Sequence, residues 1–473
     1  MDAMNAVVSA INNVLWSYVL IVVLVGCGIY FTLSTHLVQL RMLPEMLRLL
    51  TEGIGKKTEG DAISSFQAFC VSTASRVGVG NIAGIAIAVV LGGPGAIFWM
   101  WFIAAIGAAT GFIESTLAQI YKHPKIGGGF HGGPAYYIRF GLNSKVLAIL
   151  FAILISVTYG LIYNSVQANT IAASLKTFNV DPVITGIVIA ILTALVIFGG
   201  VTRIAKVSEW IVPIMAGLYI LTALYIVLVN ITTLPAVFAA IFTKAFSFDA
   251  ASGGLFGAAV MNGIKRGLFS NEAGEGSVPN AAASADVSHP AKQGLIQSFG
   301  VFVDTFLICT SSAFIVLVSG NYESSGLTGI ALVQHDLAIQ LGDWAPSVIA
   351  IFVFMFAFSS IVANYIYAEN NLFFLRLNNP KAIWCLRICT FATVIGGTLL
   401  SLPLMWQLAD IIMACMAITN LTAILLLSPV VHTIASDYLR QRKLGVRPVF
   451  DPLRYPDIGR QLSPDAWDDV SQE

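Results

Sequence analysis

Val14 to Leu33 is a run of about 20 residues without a single charge, and a helix of that length crosses the hydrocarbon of a bilayer. Ten further apolar segments follow, near residues 63–91, 95–121, 146–172, 182–200, 207–229, 255–283, 293–318, 346–368, 381–402 and 405–435. In lipid every backbone N–H and C=O must be bonded internally, so only helices or a closed barrel can span. The segments lack the polar/apolar alternation of barrel strands, so all eleven are predicted as helices. Composition agrees: 57% of residues are hydrophobic and 11% charged, where a soluble domain carries about 25% charged residues. An all-α polytopic membrane protein is expected, with one transmembrane unit over 1–436 and a polar, proline-bearing tail over 437–473.

Basic residues orient the predicted spans. Loops after the odd-numbered spans hold Arg41, Arg48, Lys56, Lys57, Lys122, Lys125, Arg139, Lys145, Arg203, Lys206, Lys292, Arg376 and Lys381. The tail adds Arg440, Arg442, Lys443, Arg447, Arg454 and Arg460, whereas the opposite loops hold Lys176 and Lys244. That asymmetry predicts an outer N-terminus and a cytoplasmic C-terminus, as an odd number of spans requires. Residues 1–13 contain no Lys or Arg, so no secretory leader is expected there. The amphipathic stretch 36–62 is expected on the cytoplasmic surface, and the tail is expected to be loosely ordered.

Two segments carry their own breaking points. The second is interrupted by SRVGVGN at 75–81, the seventh by FSNEAGEGS at 269–277. If the first span is peripheral, ten remain, and the breaks fall in core spans one and six. Two halves of five spans, about 63–229 and 255–436, then have inverted topology. Paired interruptions in inverted halves point to the binding site of a secondary transporter. Unwinding frees N–H and C=O groups at the midplane, which must find water, protein or ligand. Half-helix N-termini favour a carboxylate, and loose carbonyls favour a cation, so a small zwitterion with sodium suits such a site. A single glycine cluster would read as close helix packing.

Within the breaks, Gly78, Gly80 and Asn81 face Ser270, Asn271, Gly274 and Gly276 as candidate small surfaces and donors. Asn81 also suits an internal helix cap. Glu272 is an intramembrane carboxylate, open to cation binding, to a substrate amine, or to pairing with Lys265 or Arg266. Gly160, Tyr163, Asn164 and Gln167 share one helical face. Interhelical hydrogen bonding is the plainer role for Asn164. Asp304 is another intramembrane acid, with structure, gating and proton coupling all open.

The stretches GNIAGIAIA (80–88), GGPGAIFWMW (92–101), GGPAYYI (132–138), VQAN (166–169) and GLFSNEAGEGSVPNAAA (267–283) resemble the alanine or glycine:cation symporter family, and the resemblance runs from about 14 to 436. It implies sodium-coupled uptake of alanine or glycine on the leucine-transporter-type inverted-repeat fold. It also implies substrate contact by backbone around Gly78 to Asn81 and by Gln167. Sodium is expected at the hydroxyls of Ser359 and Ser360, with carbonyls near Ala74 and Val77. Oxygen ligands suit such a hard cation, while packing is the plain alternative for paired serines.

Three positions depart from the family pattern: Arg76 where a small or hydroxyl residue is usual, Glu275 for an apolar residue, and Asn364 for a pocket tryptophan. An unpaired arginine at the membrane centre costs about 2.5–3.5 kcal/mol. An Arg76–Glu275 pair across the breaks is therefore expected, with contact to the substrate carboxylate or occupation of a cation's place as alternatives. No cofactor is expected besides the coupling sodium ion, and the partners are a small neutral amino acid and lipid. Twenty-five basic and 25 acidic residues balance, and no nucleic-acid partner is expected. Oligomeric state is not legible. The six cysteines lie in apolar segments without a CxxC spacing and read as packing residues. Neither HExxH nor GxSxG occurs, so an enzyme is not expected. Gly78, Gly80 and Gly84 lack the strand and spacing of a dinucleotide fingerprint. Proton coupling through Glu272, Asp304 or Arg76 is the alternative to sodium, and the setting is an inner cell membrane.

Overall fold

The structure, a computed structural model, describes residues 2–55, 62–125, 128–246, 257–400 and 402–467, with side chains of 2–7 and 402–405 set aside. Lys56, Lys57 and the start of the 255–283 segment lie outside the described residues. The principal helices are α1 (Val8–Ser34), α2 (Leu43–Glu52), α3 (Ser65–Arg76), α4 (Ala83–Gly92), α5 (Gly95–Ile120) and α6 (Lys145–Phe178). They continue with α7 (Pro182–Ile197), α8 (Gly200–Val229), α9 (Leu234–Lys244), α10 (Ala258–Asn271), α11 (Pro279–Ala283) and α12 (Pro290–Ser319). The last are α13 (Gly329–Leu341), α14 (Ala345–Phe374), α15 (Pro380–Gly397) and α16 (Leu402–Lys443).

Several starts are written locally. Ser64 and Gln67 form a reciprocal capping box before α3, with bonds of 3.2 and 3.0 Å. Asp181 and Asn379 cap α7 and α15, each followed by proline at the first helical position. Among the described residues seven helices are long and apolar enough to cross a membrane, eight if the pair Ser65–Arg76 and Val79–Gly92, bent by 58°, counts as one. Each of the eleven predicted segments contains a helix. The three beyond those eight are the short α7, the broken α10/α11 and α15, which carries Lys381 and Arg387.

The burial pattern inverts that of a soluble protein. Val188, Ile191 and Leu195 of α7 and Leu221, Leu224 and Leu228 of α8 face outward. Asn81, Glu114, Gln297, Asp304, Ser360 and Asn370 are fully buried. Apolar side chains lose nothing by facing hydrocarbon, whereas polar ones must converge on one another. The α5 helix runs through the centre against α10 and α12, α6 packs on α14 and α15, and α3 lies between α8 and α14.

The tail departs from expectation. Helix α16 runs on to Lys443, and the following segment folds back over one end of the bundle. Phe450 and Trp467 are buried there, and the Trp467 indole donates to the Ile120 carbonyl at 3.4 Å. The Lys122 ammonium sits 3.9 Å from the Phe130 ring and 4.0 Å from that of Trp467. These aromatic anchors act with hydrogen bonds, Phe450 N–H to the Ser288 carbonyl at 2.8 Å and Tyr121 to Gln461 at 2.8 Å, to hold the proline-rich segment. The predicted surface stretch holds α2, where Glu45 accepts from Arg48 at 2.8 Å and pairs with Arg442 at 2.9 Å.

Candidate functional site

Helix α3 ends at Arg76 because Val77 leaves helical geometry at ψ 73°. The freed N–H groups are then met in turn. Gly78 N–H is accepted by the Asn81 amide oxygen at 3.1 Å, so Asn81 does cap the break. Val79 N–H reaches the Gln167 side-chain oxygen on α6 at 3.0 Å. Gly78 is glycine for want of space: a Cβ there would stand 2.6 Å from Ser360 Oγ and 2.7 Å from Gln167 Nε2. Gly80 lies against the Phe269 ring.

Helix α10 ends when Glu272 turns left-handed at φ +56°, and Gly274 and Gly276 follow at φ +94° and +85°. Such angles favour glycine. Asn271 accepts from Ala273 N–H at 3.0 Å and donates to Thr305 at 3.3 Å. Gly274 N–H is accepted by Glu114 of α5 at 3.1 Å. Asn420 of α16 donates to both Glu114, at 2.8 Å, and the Gly274 carbonyl, at 3.0 Å.

One carboxylate joins the two breaks. Asp304 accepts from Asn81 Nδ2 at 2.6 Å on one oxygen and from Ser270 at 2.9 Å on the other. It sits where α12 widens to π geometry over Val303–Cys309, a departure common at functional positions. Thr305 adds a donor at 3.0 Å, and the Cys309 thiol lies 2.9 Å from the Ser270 hydroxyl. Three elements, the first break, α10 and α12, thus converge on one buried polar centre.

The hydroxyl pair of α14 divides. Ser360 donates to the Ala74 carbonyl at 2.8 Å and lies 3.2 Å from that of Ser75. Ser359 turns away, to its own helix and to the Met215 sulfur at 3.6 Å. Among the described residues no hydrogen bond joins Val77 to either serine. Asn364 accepts from Ser75 at 2.8 Å and donates to Asn164 at 3.0 Å, extending the polar line one turn along α14. Asn169, in contrast, holds the carbonyls of Gly397 and Leu400 at the end of α15.

The expected charge pairs are not formed. Arg76 donates to the Gln297 carbonyl at 3.2 Å and to its side-chain oxygen at 3.3 Å, and Gly300 makes room for the guanidinium. Glu275 instead accepts from Tyr163 at 2.8 Å. The arginine aims across to α12 while the glutamate aims at α6, so the break-to-break bridge is replaced by two separate anchors. Glu272 likewise has no bond to Lys265 or Arg266; it accepts from Ser75 at 3.0 Å and Ser277 at 2.5 Å. Lys265 and Arg266 both reach Asp410 of α16, at 3.3 and 2.8 Å. Sequence reasoning passed over Glu114, Gln297, Asp410 and Asn420. Each carried a usable signal, a strongly polar residue inside an apolar run.

The profile described as the sodium:alanine symporter family matches residues 1–452. The uncharacterized transporter YaaJ of Escherichia coli is 57% identical over 98% of this chain and 99% of its own. The probable sodium/glutamine symporter GlnT of Bacillus subtilis is 51% identical, over 94% of this chain and 92% of its own. The sodium/alanine symporter AgcS of Methanococcus maripaludis is 40% identical, over 93% and 98% respectively.

Proposed function

Because the chain belongs to the sodium:alanine symporter family, a family of membrane transporters and not of enzymes, we propose that it couples sodium entry to uptake of a small neutral amino acid, alanine or glycine, by alternating access. The observation that carries this reading is the Asp304 junction. Two interrupted helices from opposite halves of the chain are held to one buried carboxylate, with unwound backbone at each break. A rocking bundle needs such shared anchoring at its pivot.

In this reading the carboxylate and amine of the substrate meet the unwound backbone from Gly78 to Asn81, Gln167, and the Ser270 to Gly276 turn. Sodium takes the place at Ser360 and the Ala74 carbonyl, where a hydroxyl and carbonyls already gather. The eleven-span arrangement, five plus five inverted around α3/α4 and α10/α11, with the N-terminus outside, belongs to the same proposal. Glutamine is a second reading, favoured by the amides of Asn364 and Asn164, which give a longer polar side chain partners beside the break.

The test is uptake of labelled alanine, glycine, serine and glutamine into proteoliposomes at fixed pH. Accumulation driven by an inward sodium gradient supports the proposal, and the preferred label decides between its two substrates. Accumulation that ignores sodium and follows a proton gradient alone would sink it.

A further inference from the structure

We propose that Glu275, with Glu272, Tyr159 and Tyr163, binds a second transported monovalent cation, separate from the one at Ala74 and Ser360. This rests on the symporter reading above.

The argument begins with how unequally the buried acids are satisfied. Asp304 accepts from Asn81, Ser270 and Thr305, and Glu114 from Gly274 N–H and Asn420. Glu272 accepts from Ser75 and Ser277. Glu275, fully buried, accepts from Tyr163 at 2.8 Å, and its Oε2 has no donor in bonding geometry, the Tyr159 hydroxyl being the further donor that faces the carboxylate. A buried carboxylate oxygen without a partner is a costly feature unless a positive charge or proton visits it.

Two phenols point the same way. The Tyr159 hydroxyl is fully buried and unbonded, and the groups that act on it are Glu272, Glu275 and Ser277. Tyr367 is also buried with no partner in bonding geometry at its hydroxyl, and it faces Glu272, Arg76, Ser75 and Glu275. The Tyr159 ring centroid lies 4.8 Å from that of Tyr163 and 5.2 Å from that of Tyr367. Hydroxyl groups and a carboxylate are therefore gathered beside packed aromatic rings. Hard monovalent cations take such oxygens, and the ring faces favour positive charge.

The charge balance gives an independent reason. Glu114, Glu272, Glu275 and Asp304 are all buried around the two breaks. Arg76 is the buried base beside them, and its charge acts on Glu114, Glu272 and Asp304. Lys265 and Arg266 are taken by Asp410. One sodium at Ser360 and a zwitterionic substrate leave this interior strongly negative. The groups facing Glu275 and capable of changing its charge are Glu272 on its own turn, Glu114 on α5, and Tyr159 and Tyr163 on α6; Asp410 of α16 acts on Tyr163. None of these supplies a positive charge, and Arg76, which acts on Glu272 and Tyr367, is bonded to Gln297, so a cation from solution can balance Glu275.

The site differs in place from the Ser360 position. Along α14, Ser360, Asn364 and Tyr367 follow at one-turn spacing, and Ser75 links Asn364 to Glu272. The two positions share one polar line without sharing a ligand.

The experiment is a reversal-potential measurement on the full chain in proteoliposomes, giving charge moved per alanine. The wild type is expected to move two charges and Glu275→Gln one. With a tenfold cation gradient and no potential, limiting accumulation then falls from about 100-fold to about 10-fold. Labelled sodium flux and internal pH recorded together identify the source. If sodium per alanine halves in Glu275→Gln, the second cation is sodium. If it is unchanged and alanine-linked acidification disappears, the cation is a proton. A wild type that moves one charge, or a variant whose charge per alanine equals the wild type's, overturns the proposal. Should Glu275→Gln fail to fold, Tyr163→Phe removes the 2.8 Å donor to Glu275. It is expected to shift the half-saturating concentration of one cation by threefold or more, and an unchanged cation dependence counts against the site. Absence of any sodium dependence in the wild type refutes the symporter reading itself and is read before the variants.

Discussion

Gly78→Ala is the most informative single change. The added methyl carbon would stand 2.6 Å from Ser360 Oγ and 2.7 and 2.9 Å from the two polar atoms of the Gln167 amide. Cβ atoms do not tolerate contacts under 3.0 Å, so both side chains must retreat. The backbone at Gly78, φ −115° and ψ −154°, is extended and suits alanine, so the effect is one of space alone. Overpacking a tight interior costs about 1–3 kcal/mol. Displacing Gln167 also strips Val79 N–H of its acceptor, about 1–3 kcal/mol for a buried donor. The two overlap, and about 2–4 kcal/mol is a fair total, or roughly 30- to 1,000-fold in a rate or binding constant.

The assay is the initial rate of labelled alanine uptake in proteoliposomes, with half-saturation for alanine and for sodium, alongside thermal unfolding in detergent. Gly217→Ala is the control. Nothing lies within 4 Å of a Cβ there, inside α8, so it should be neutral or stabilise by about 0.5–1 kcal/mol. Gln167→Ala added to Gly78→Ala should cost little more, because the first change already displaces the amide. If Gly78→Ala keeps both half-saturation values and its rate within about twofold of wild type, the tight contact between the break, Gln167 and Ser360 is not what holds the site.

Three further outcomes follow from the packing around this centre. Asp410→Asn should lower stability by about 3–5 kcal/mol, because Lys265 and Arg266 would be left buried against no carboxylate; detergent unfolding reads this directly. Glu45 lies outside the spans; burial pushes its carboxyl up, but Arg48, Tyr438 and Arg442 together outweigh that and hold it at about 2, below the ordinary 4.5. Its contribution is therefore complete above pH 4.5 and lost as pH falls toward 2; after screening at the surface about 1–2 kcal/mol is expected. Glu45→Gln should flatten that acid limb of the stability profile. Trp467→Ala should release the folded-back tail from Ile120 and Lys122, seen as faster limited proteolysis within residues 448–467 with the helical bundle intact.

How much of this could be read from the chain differs from layer to layer. The apolar runs demand membrane helices because hydrocarbon thickness is fixed and lipid offers no hydrogen bonds. The two interruptions were legible for the same reason, since glycine and asparagine inside such a run leave backbone groups that need partners. The stretch from Gly267 to Ala283 carries enough of a family pattern to name the family. Capping by Asn81 is local and was foreseen. What the sequence could not choose was the partner of each buried charge. Arg76 and Glu275 sit in facing breaks, yet one meets Gln297 on α12 and the other Tyr163 on α6. Lys265 and Arg266 are one to two turns from Glu272, yet both bond to Asp410, some 145 residues away by roughly counting from Lys265 along the chain. Ser359 and Ser360 are adjacent, and one turns to the break while the other turns to Met215. Helical periodicity says which residues share a face. Which residue stands opposite depends on the rotation and depth of a neighbouring helix, and those are fixed only when every helix has packed.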